Sequence, residues 1–225
     1  LLVYLNGHAT IPDTLGLFLP ESRRMHPEIC RFVSDLAYEG RLKAAPGNEN
    51  QCLRPRIDAA SALDKREAGV VFDPVVHDGN VQASDEEADR IVYLASRLID
   101  RDFVNQKGET RKLGWSDILF VAPYNMQVRK LRERLPVEAR VGSVDKFQGQ
   151  EAPVVFVSMC SSYGEYGSRG IEFILDQNRM NVAISRAQVL AVVVGDPRIA
   201  LTPAGSIDGM RRLNLYCRLV RECAA

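Results

Sequence analysis

An α/β fold on a mostly parallel central sheet is what this sequence predicts, and three observations predict it. Apolar strand-like runs alternate with amphipathic helical segments from residue 70 to residue 223. The runs, such as "PVVFVSM" (153–159) and "VLAVVVGD" (189–196), are continuous rather than alternating, as in parallel strands covered on both faces. Hydrophobic residues make up 46% of the 225, enough for one sizeable core.

The elements follow in order. Residues 26–39 read as a helix: Pro27 suits a first turn, Ile29, Phe32, Val33, Leu36 and Ala37 recur at helical spacing, and Gly40 ends it. His26 before it reads as a cap or packing residue. Residues 43–68 are polar and irregular and read as surface loop. "VVFDPVV" (70–76) is a strand with Pro74 at an edge or bulge. "SDEEADRIVYLASRLID" (84–100) is a helix opened by a Ser84/Glu87 capping box, with Ile91, Leu94, Ala95 and Leu98 inward. "DILFVAP" (117–123) is a strand. "NMQVRKLRERL" (125–135) is a helix with Val128, Leu131 and Leu135 inward. Its Arg129, Lys130, Arg132 and Arg134 read as a solvated face or a phosphate track. "ARVGSV" (139–144) and "PVVFVSM" are strands, 177–187 a helix and "VLAVVVGD" the last strand. A final helix, 207–223, places Ile207, Met210, Leu213, Tyr216, Cys217 and Val220 inward.

Composition excludes several classes. Lys+Arg and Asp+Glu are both 29, so no global basic field draws nucleic acid, and any such site is local. Five cysteines without a CxxC pair argue against a zinc or iron–sulfur site and fit a reducing cytosol. No apolar run approaches the roughly 20 residues that span a bilayer. The opening "LLVYLNGHATIP" lacks the basic and apolar regions of a signal peptide. With no initiator Met, it reads as the start of a piece of a longer chain.

In open α/β sheets ligands sit at the carboxyl ends of strands. That rule singles out Pro123-Tyr124-Asn125, Ser143-Val144-Asp145-Lys146 and Gly195-Asp196-Pro197. Yet neither GxxxxGK[ST] nor GxGxxG occurs in the chain. No loop here cradles phosphates in the P-loop manner, so a nucleotide would find only part of its site.

Four segments carry a resemblance. "SRRMHPEICRFVSDLAYEGRL" (22–42), "VAPYNMQVRKL" (121–131), "VGSVDKFQGQEAPVVFVS" (141–158) and "NRMNVAISRAQ" (178–188) resemble, in order and spacing, motif IV, the segment after it, motif V and motif VI of superfamily 1 helicases. The branch is that of the nonsense-mediated-decay and Okazaki-fragment helicases. The match reaches from about Gly16 to about Pro197 and implies a RecA-like three-layer sandwich: a P-loop NTPase fold in its second-domain form, lacking its own P-loop. The opening "LLVYLNGHATIPDTLGLFLPESRRMHP" resembles most a bacterial group that joins a RecB-like nuclease module to such a helicase. That implies the bacterial cytosol or nucleoid, and no membrane. One domain is expected over residues 1–225.

The resemblance also implies roles. ATP and Mg²⁺ lie between two RecA-like domains and are held mainly by the N-terminal one, which this chain does not include. The second domain supplies arginines, whose planar fork meets phosphate oxygens bidentately. Arg186 and Arg24 match the motif VI and motif IV arginines. Arg179, two turns before Arg186 and so on the same face of one helix, assists or pairs with a carboxylate. Glu151 matches a ribose contact; Gln148 and Gly149 shape its turn. Arg23 stands where many relatives stack an aromatic residue on adenine. Ser143, Tyr124, Asn125 and Gln127 match contacts to single-stranded DNA or RNA, although Tyr124 also suits a packed core. Asp145 and Lys146 suit a mutual pair or contact with solvent. Movement 5′-to-3′ is implied. The alternative is a degenerate RecA-like binding module without turnover.

Overall fold

In the computed structural model, which describes residues 10–12, 14–56, 59, 61–147, 149–165 and 170–224, ten strands and seven helices alternate. They run β1 (Glu21–Ser22), α1 (Pro27–Ala37), β2 (Lys43–Ala44), β3 (Cys52–Leu53), α2 (Ala62–Lys65), β4 (Gly69–Pro74), α3 (Asp85–Leu98), β5 (Asp102–Val104), β6 (Thr110–Lys112), β7 (Ile118–Val121), α4 (Asn125–Arg134), β8 (Arg140–Gly142), β9 (Ala152–Ser158), α5 (Gly170–Ile174), α6 (Gln177–Ile184), β10 (Ala187–Gly195) and α7 (Ile207–Glu222).

The central sheet has the order β4-β10-β9-β7-β8, all parallel. Both faces are covered, which is why the strands are continuous apolar runs. Val155, Val157, Ala191 and Val193 pack with α1, α6 and α7; Val154, Phe156, Leu190 and Val192 pack with α3 and α4. The result is the three-layer α/β arrangement of a RecA-like fold. Phe120 and Phe156 stack 5.5 Å apart on adjacent strands, each burial contributing about 1.5–3 kcal/mol. β4 is an edge strand, so Pro74 at its end costs no ladder hydrogen bond. Phe72 N donates to Cys223 O at 2.6 Å, so the chain after α7 covers that edge.

Several expectations are corrected. Residues 43–68 hold β2, β3 and α2 rather than only loop, and β3, β5 and β6 form a small antiparallel sheet. Ser84 caps α3 by accepting from Glu87 N, but the Glu87 carboxylate turns into the core, so the reciprocal half of the capping box is missing. α6 stops at Ile184 with Ser185 as its C-cap, three residues early. On α7, Ile207 and Met210 are exposed, while Leu215, Tyr216 and Leu219 are buried. The basic face of α4 is an ion-pair surface: Lys130 and Arg134 bind Asp85, and Arg134 also binds Asp89. His26 is the N-cap of α1, its Nδ1 accepting from Glu28 N.

Candidate functional site

The expected site residues fall into two groups at opposite ends of the strands of the sheet. The first lies at the amino ends of β9 and β10, not at the carboxyl ends that the general rule favours. Glu151 immediately precedes β9, and Arg186 fills the step between α6 and β10. Ala152 N donates to Arg186 O at 3.1 Å, joining the two strand starts, and His26 N donates to Gln188 O at 2.7 Å, bringing the segment of Arg23 and Arg24 alongside. Arg24 then reaches Glu151 (Nε to Oε2, 2.5 Å) and the carbonyl of Ser185 (3.0 Å). Gln188 donates to the other oxygen of Glu151 at 2.9 Å.

Arg186 is treated differently. Its Nε is buried and has no hydrogen-bond partner among the described residues. Burial, and then the like charge of Arg24, push its pKa below the ordinary arginine value. A guanidinium stays charged under that pressure, so the pair of arginines is a positive locus with one donor left to satisfy. It fits an anionic ligand such as a polyphosphate.

Beside it, a cleft of about 180 Å³ opens between Arg23, Arg24, Glu151 and Gln188 on one wall and the turn of the β5–β6 hairpin on the other. Gln106 of that turn donates to the carbonyl of Arg23 at 2.5 Å. Arg23 is exposed. Gly149 has φ +78° with open space around it, a left-handed turn that suits glycine. Gln148 lies outside the described residues. Among the described residues no group of three or more His, Cys, Asp or Glu gathers as metal donors.

The second group lies at the carboxyl ends of β7 and β8. A polar cleft of about 370 Å³ is lined by Gln82, Tyr124, Asn125, Met126, Ser143, Asp145, Phe173 and Arg179. Arg179 therefore does not join Arg186. With α6 ended at Ile184, the two-turn spacing no longer aligns them. The Arg179 guanidinium sits 4.5 Å over the Phe173 ring and 3.9 Å from Asp145. Asp145 thus faces Arg179 rather than Lys146, whose amine donates to Val141 O. Tyr124 is buried against Phe173, ring centroids 5.1 Å apart. It is the N-cap of α4 but makes no side-chain cap bond, and Asn125 and Met126 of the first turn line the cleft. Asn125 is exposed there and Ser143 half-buried.

Gln127 is the expectation that fails. It is fully buried. Its amide accepts from Ser84 N (2.8 Å) and donates to Ser84 O (3.1 Å) and Ser158 Oγ (3.0 Å), so no nucleic acid reaches it. The sequence also missed Gln188, Gln106 and Phe173. Each reaches its site through tertiary contact, and a single polar or aromatic residue in a run gives no local signal of that.

The model of the AAA domain family matches residues 9–198. Over 221 residues the chain is 30% identical to "Putative helicase mov-10-B.1" of Danio rerio, covering 89% of this chain and 21% of that protein. It is 28% identical over 203 residues to DNA polymerase alpha-associated DNA helicase A of Schizosaccharomyces pombe, covering 82% and 28%. To Helicase SEN1 of Saccharomyces cerevisiae it is 29% identical over 188 residues, covering 78% and 8%. The chain thus spans less than a third of the length of each of these relatives.

Proposed function

The chain belongs to the AAA domain family, and from that membership we propose that it is the second RecA-like motor domain of an ATP-dependent superfamily 1 helicase. The domain extends over residues 1–225. The observation that carries the reading is Arg186: a buried, incompletely bonded guanidinium beside a second arginine, on a domain without a phosphate loop of its own.

Bound ATP would supply the γ-phosphoryl group, transferred to water with ADP leaving, and Mg²⁺ would shield its charge; both would be held mainly by a first RecA-like domain of the same parent chain. Arg186 meets the charge that develops on the γ-phosphoryl oxygens, an arginine finger contributing about 10³–10⁵ in rate. Arg24 stands beside it, oriented by Glu151 and Ser185 O. On nucleotide entry Glu151 turns one oxygen to the ribose, with Gly149 and Gln148 shaping the approach, and Arg23 stacks its planar guanidinium on the base. At the far end of the strands Ser143, Asn125, Arg179 and the first turn of α4 hold phosphates of single-stranded DNA or RNA, with Tyr124 shaping the floor. Closure of the two domains on ATP and reopening after hydrolysis move the motor 5′-to-3′ along one strand. A RecB-like nuclease module on the parent chain and a bacterial cytosolic setting belong to the same proposal; they rest on the likeness of the opening segment.

The test is nucleic-acid-stimulated ATPase of the parent protein, wild type beside Arg186→Ala. The expected outcome is a loss of about 10³ or more in kcat with nucleotide binding largely kept. Activity that survives moves the finger to Arg24. A folded wild type inactive with both DNA and RNA replaces the motor with a binding module.

A further inference from the structure

Beneath the carboxyl-end cleft lies a buried polar network that the function above does not use. Glu87, fully buried, accepts from Ser158 Oγ (2.6 Å) and from Cys160 N (2.9 Å) through Oε2. Its Oε1 lies 2.9 Å from His77 Nε2, and His77 Nδ1 lies 2.8 Å from Ser162 Oγ. Cys160 takes φ +53°, a left-handed conformation that costs a non-glycine residue about 1 kcal/mol or more. That turn aims its N–H at Glu87. Ser162, His77 and Glu87 form a serine–histidine–carboxylate chain, but Ser162 is fully buried and already accepts from Asn80 N. It is a support and not a nucleophile.

What it supports is segment 80–84. At one end Asn80 exchanges hydrogen bonds with Ser162: N to Oγ at 3.0 Å, and O from Ser162 N at 2.8 Å. Ser161 Oγ adds a bond to Val81 O at 2.7 Å. At the other end Gln127 holds both the N–H and the carbonyl of Ser84. Gln82, between the two clamps, is part of the cleft wall. Gln127 also belongs to the first turn of α4, whose Asn125 and Met126 line the same cleft. We propose that His77, Glu87 and Gln127 are positioning residues for this cleft, clamping segment 80–84 and the amino end of α4 in the geometry that grips a nucleic-acid backbone. The inference rests on the nucleic-acid reading of that cleft.

The clamp depends on protonation. Charged, His77 donates to both Glu87 and Ser162, and both bonds are charge-assisted. Neutral, it keeps one donor, and the Ser162 hydroxyl must rotate to supply the other bond. Burial lowers the His77 pKa, but the hydrogen bond and charge of Glu87, with Asp196 and Glu86 behind them, raise it above the ordinary histidine value. Asp78 and Arg198, joined to each other at 2.8 Å, lie beside it, Arg198 donating to His77 O, and Cys160 meets the network through its N–H on Glu87. The charge assistance of both bonds is therefore fully present below the ordinary histidine value and is lost as pH rises through the raised one, which leaves the clamp with two weaker, neutral-donor bonds.

The experiment measures anisotropy of a fluorescent oligothymidine and a fluorescent oligouridine with this chain, from about pH 6 to about pH 9. Circular dichroism at each pH reports folding. Wild-type affinity is expected to fall about fivefold or more across that range. His77→Asn, which keeps polar groups but cannot titrate, is expected to flatten the profile. Arg179→Ala is expected to weaken binding at every pH with the slope kept. A histidine titration by NMR on the wild type covers the case in which the variants misfold: by reciprocity, added oligonucleotide must raise the His77 pKa further. Binding with no pH slope, a slope that survives in folded His77→Asn, or a His77 pKa unmoved by oligonucleotide overturns the inference. No binding of either probe by the folded chain overturns the nucleic-acid reading itself.

Discussion

Arg101 is 3% exposed, and its hydrogen bonds go to backbone carbonyls: Leu53, Arg54, Leu63 and Arg66, at 2.8 to 3.3 Å. Burial pushes its pKa below the ordinary arginine value, yet the fork stays because it ties the carbonyls at the ends of β3 and α2 together. Arg101→Met fills the volume and takes a donor from each of those acceptors, of which Leu63 O keeps Arg66 N at 3.2 Å. The expected loss is about 3 kcal/mol in urea unfolding. A loss under about 1 kcal/mol would assign the segment's order to the Asp64–Arg97 pair instead. Legibility at this scale was uneven for one reason: a sequence names the residue and not its neighbours. The segments around Arg24, Glu151 and Arg186 were legible as motifs, and their backbones do converge. Gln127 sat in an equally suggestive motif, but its partners Ser84 and Ser158 are distant in sequence, and they take its amide inward.

At the scale of elements, the strands of the central sheet were legible because burial on both faces leaves a run of branched residues and nothing else. The small sheet was not. All three residues of β6 are exposed, β3 has two residues, and such strands exist only through their partners. The end of α6 was misplaced because Ser185 and Arg186 are compatible with helix; the pull of β10 on Ala187 decides the break. The close of β10 gives a sharper test. A Cβ on Gly195 would stand 2.7 Å from Met159 Cγ and 2.7 Å from Tyr216 Oη, and that hydroxyl donates to Asp196 O at 2.9 Å. The backbone at Gly195 is not left-handed, so the cost of Gly195→Ala is one of space alone. Overpacking of this kind costs about 1–3 kcal/mol. Chemical denaturation would show it, and pairing with Met159→Ala should recover part of the loss. No recovery would place the strain on the Tyr216 side.

Across the whole molecule, the two candidate faces lie at opposite ends of the strands of one sheet, with β9, β10 and α6 running between them. Sequence order could not reveal that arrangement, because α6 carries Arg179 near one end and stops beside Arg186 at the other. The net charge of zero gives the arrangement a measurable consequence. Arg179 is the one cation among the described residues lining the carboxyl-end cleft, and no global basic field assists it. Each phosphate neutralised on a single strand contributes about −0.7 to the slope of log affinity against log salt. One or two phosphates, held by Arg179 and the first turn of α4, predict a slope of about −0.7 to −1.4. A slope of about −3 or steeper would move the strand onto another surface, such as the arginines of α7. The same preparation should hydrolyse ATP no faster than buffer, since the proposed motor takes its phosphate loop and metal ligands from the other domain. ATP should leave oligonucleotide affinity unchanged for the same reason. Coupling between the two ends needs a partner domain that grips both ligands, and sustained hydrolysis by this chain alone, with contaminating ATPase excluded, would give the domain a catalytic centre that the proposal does not.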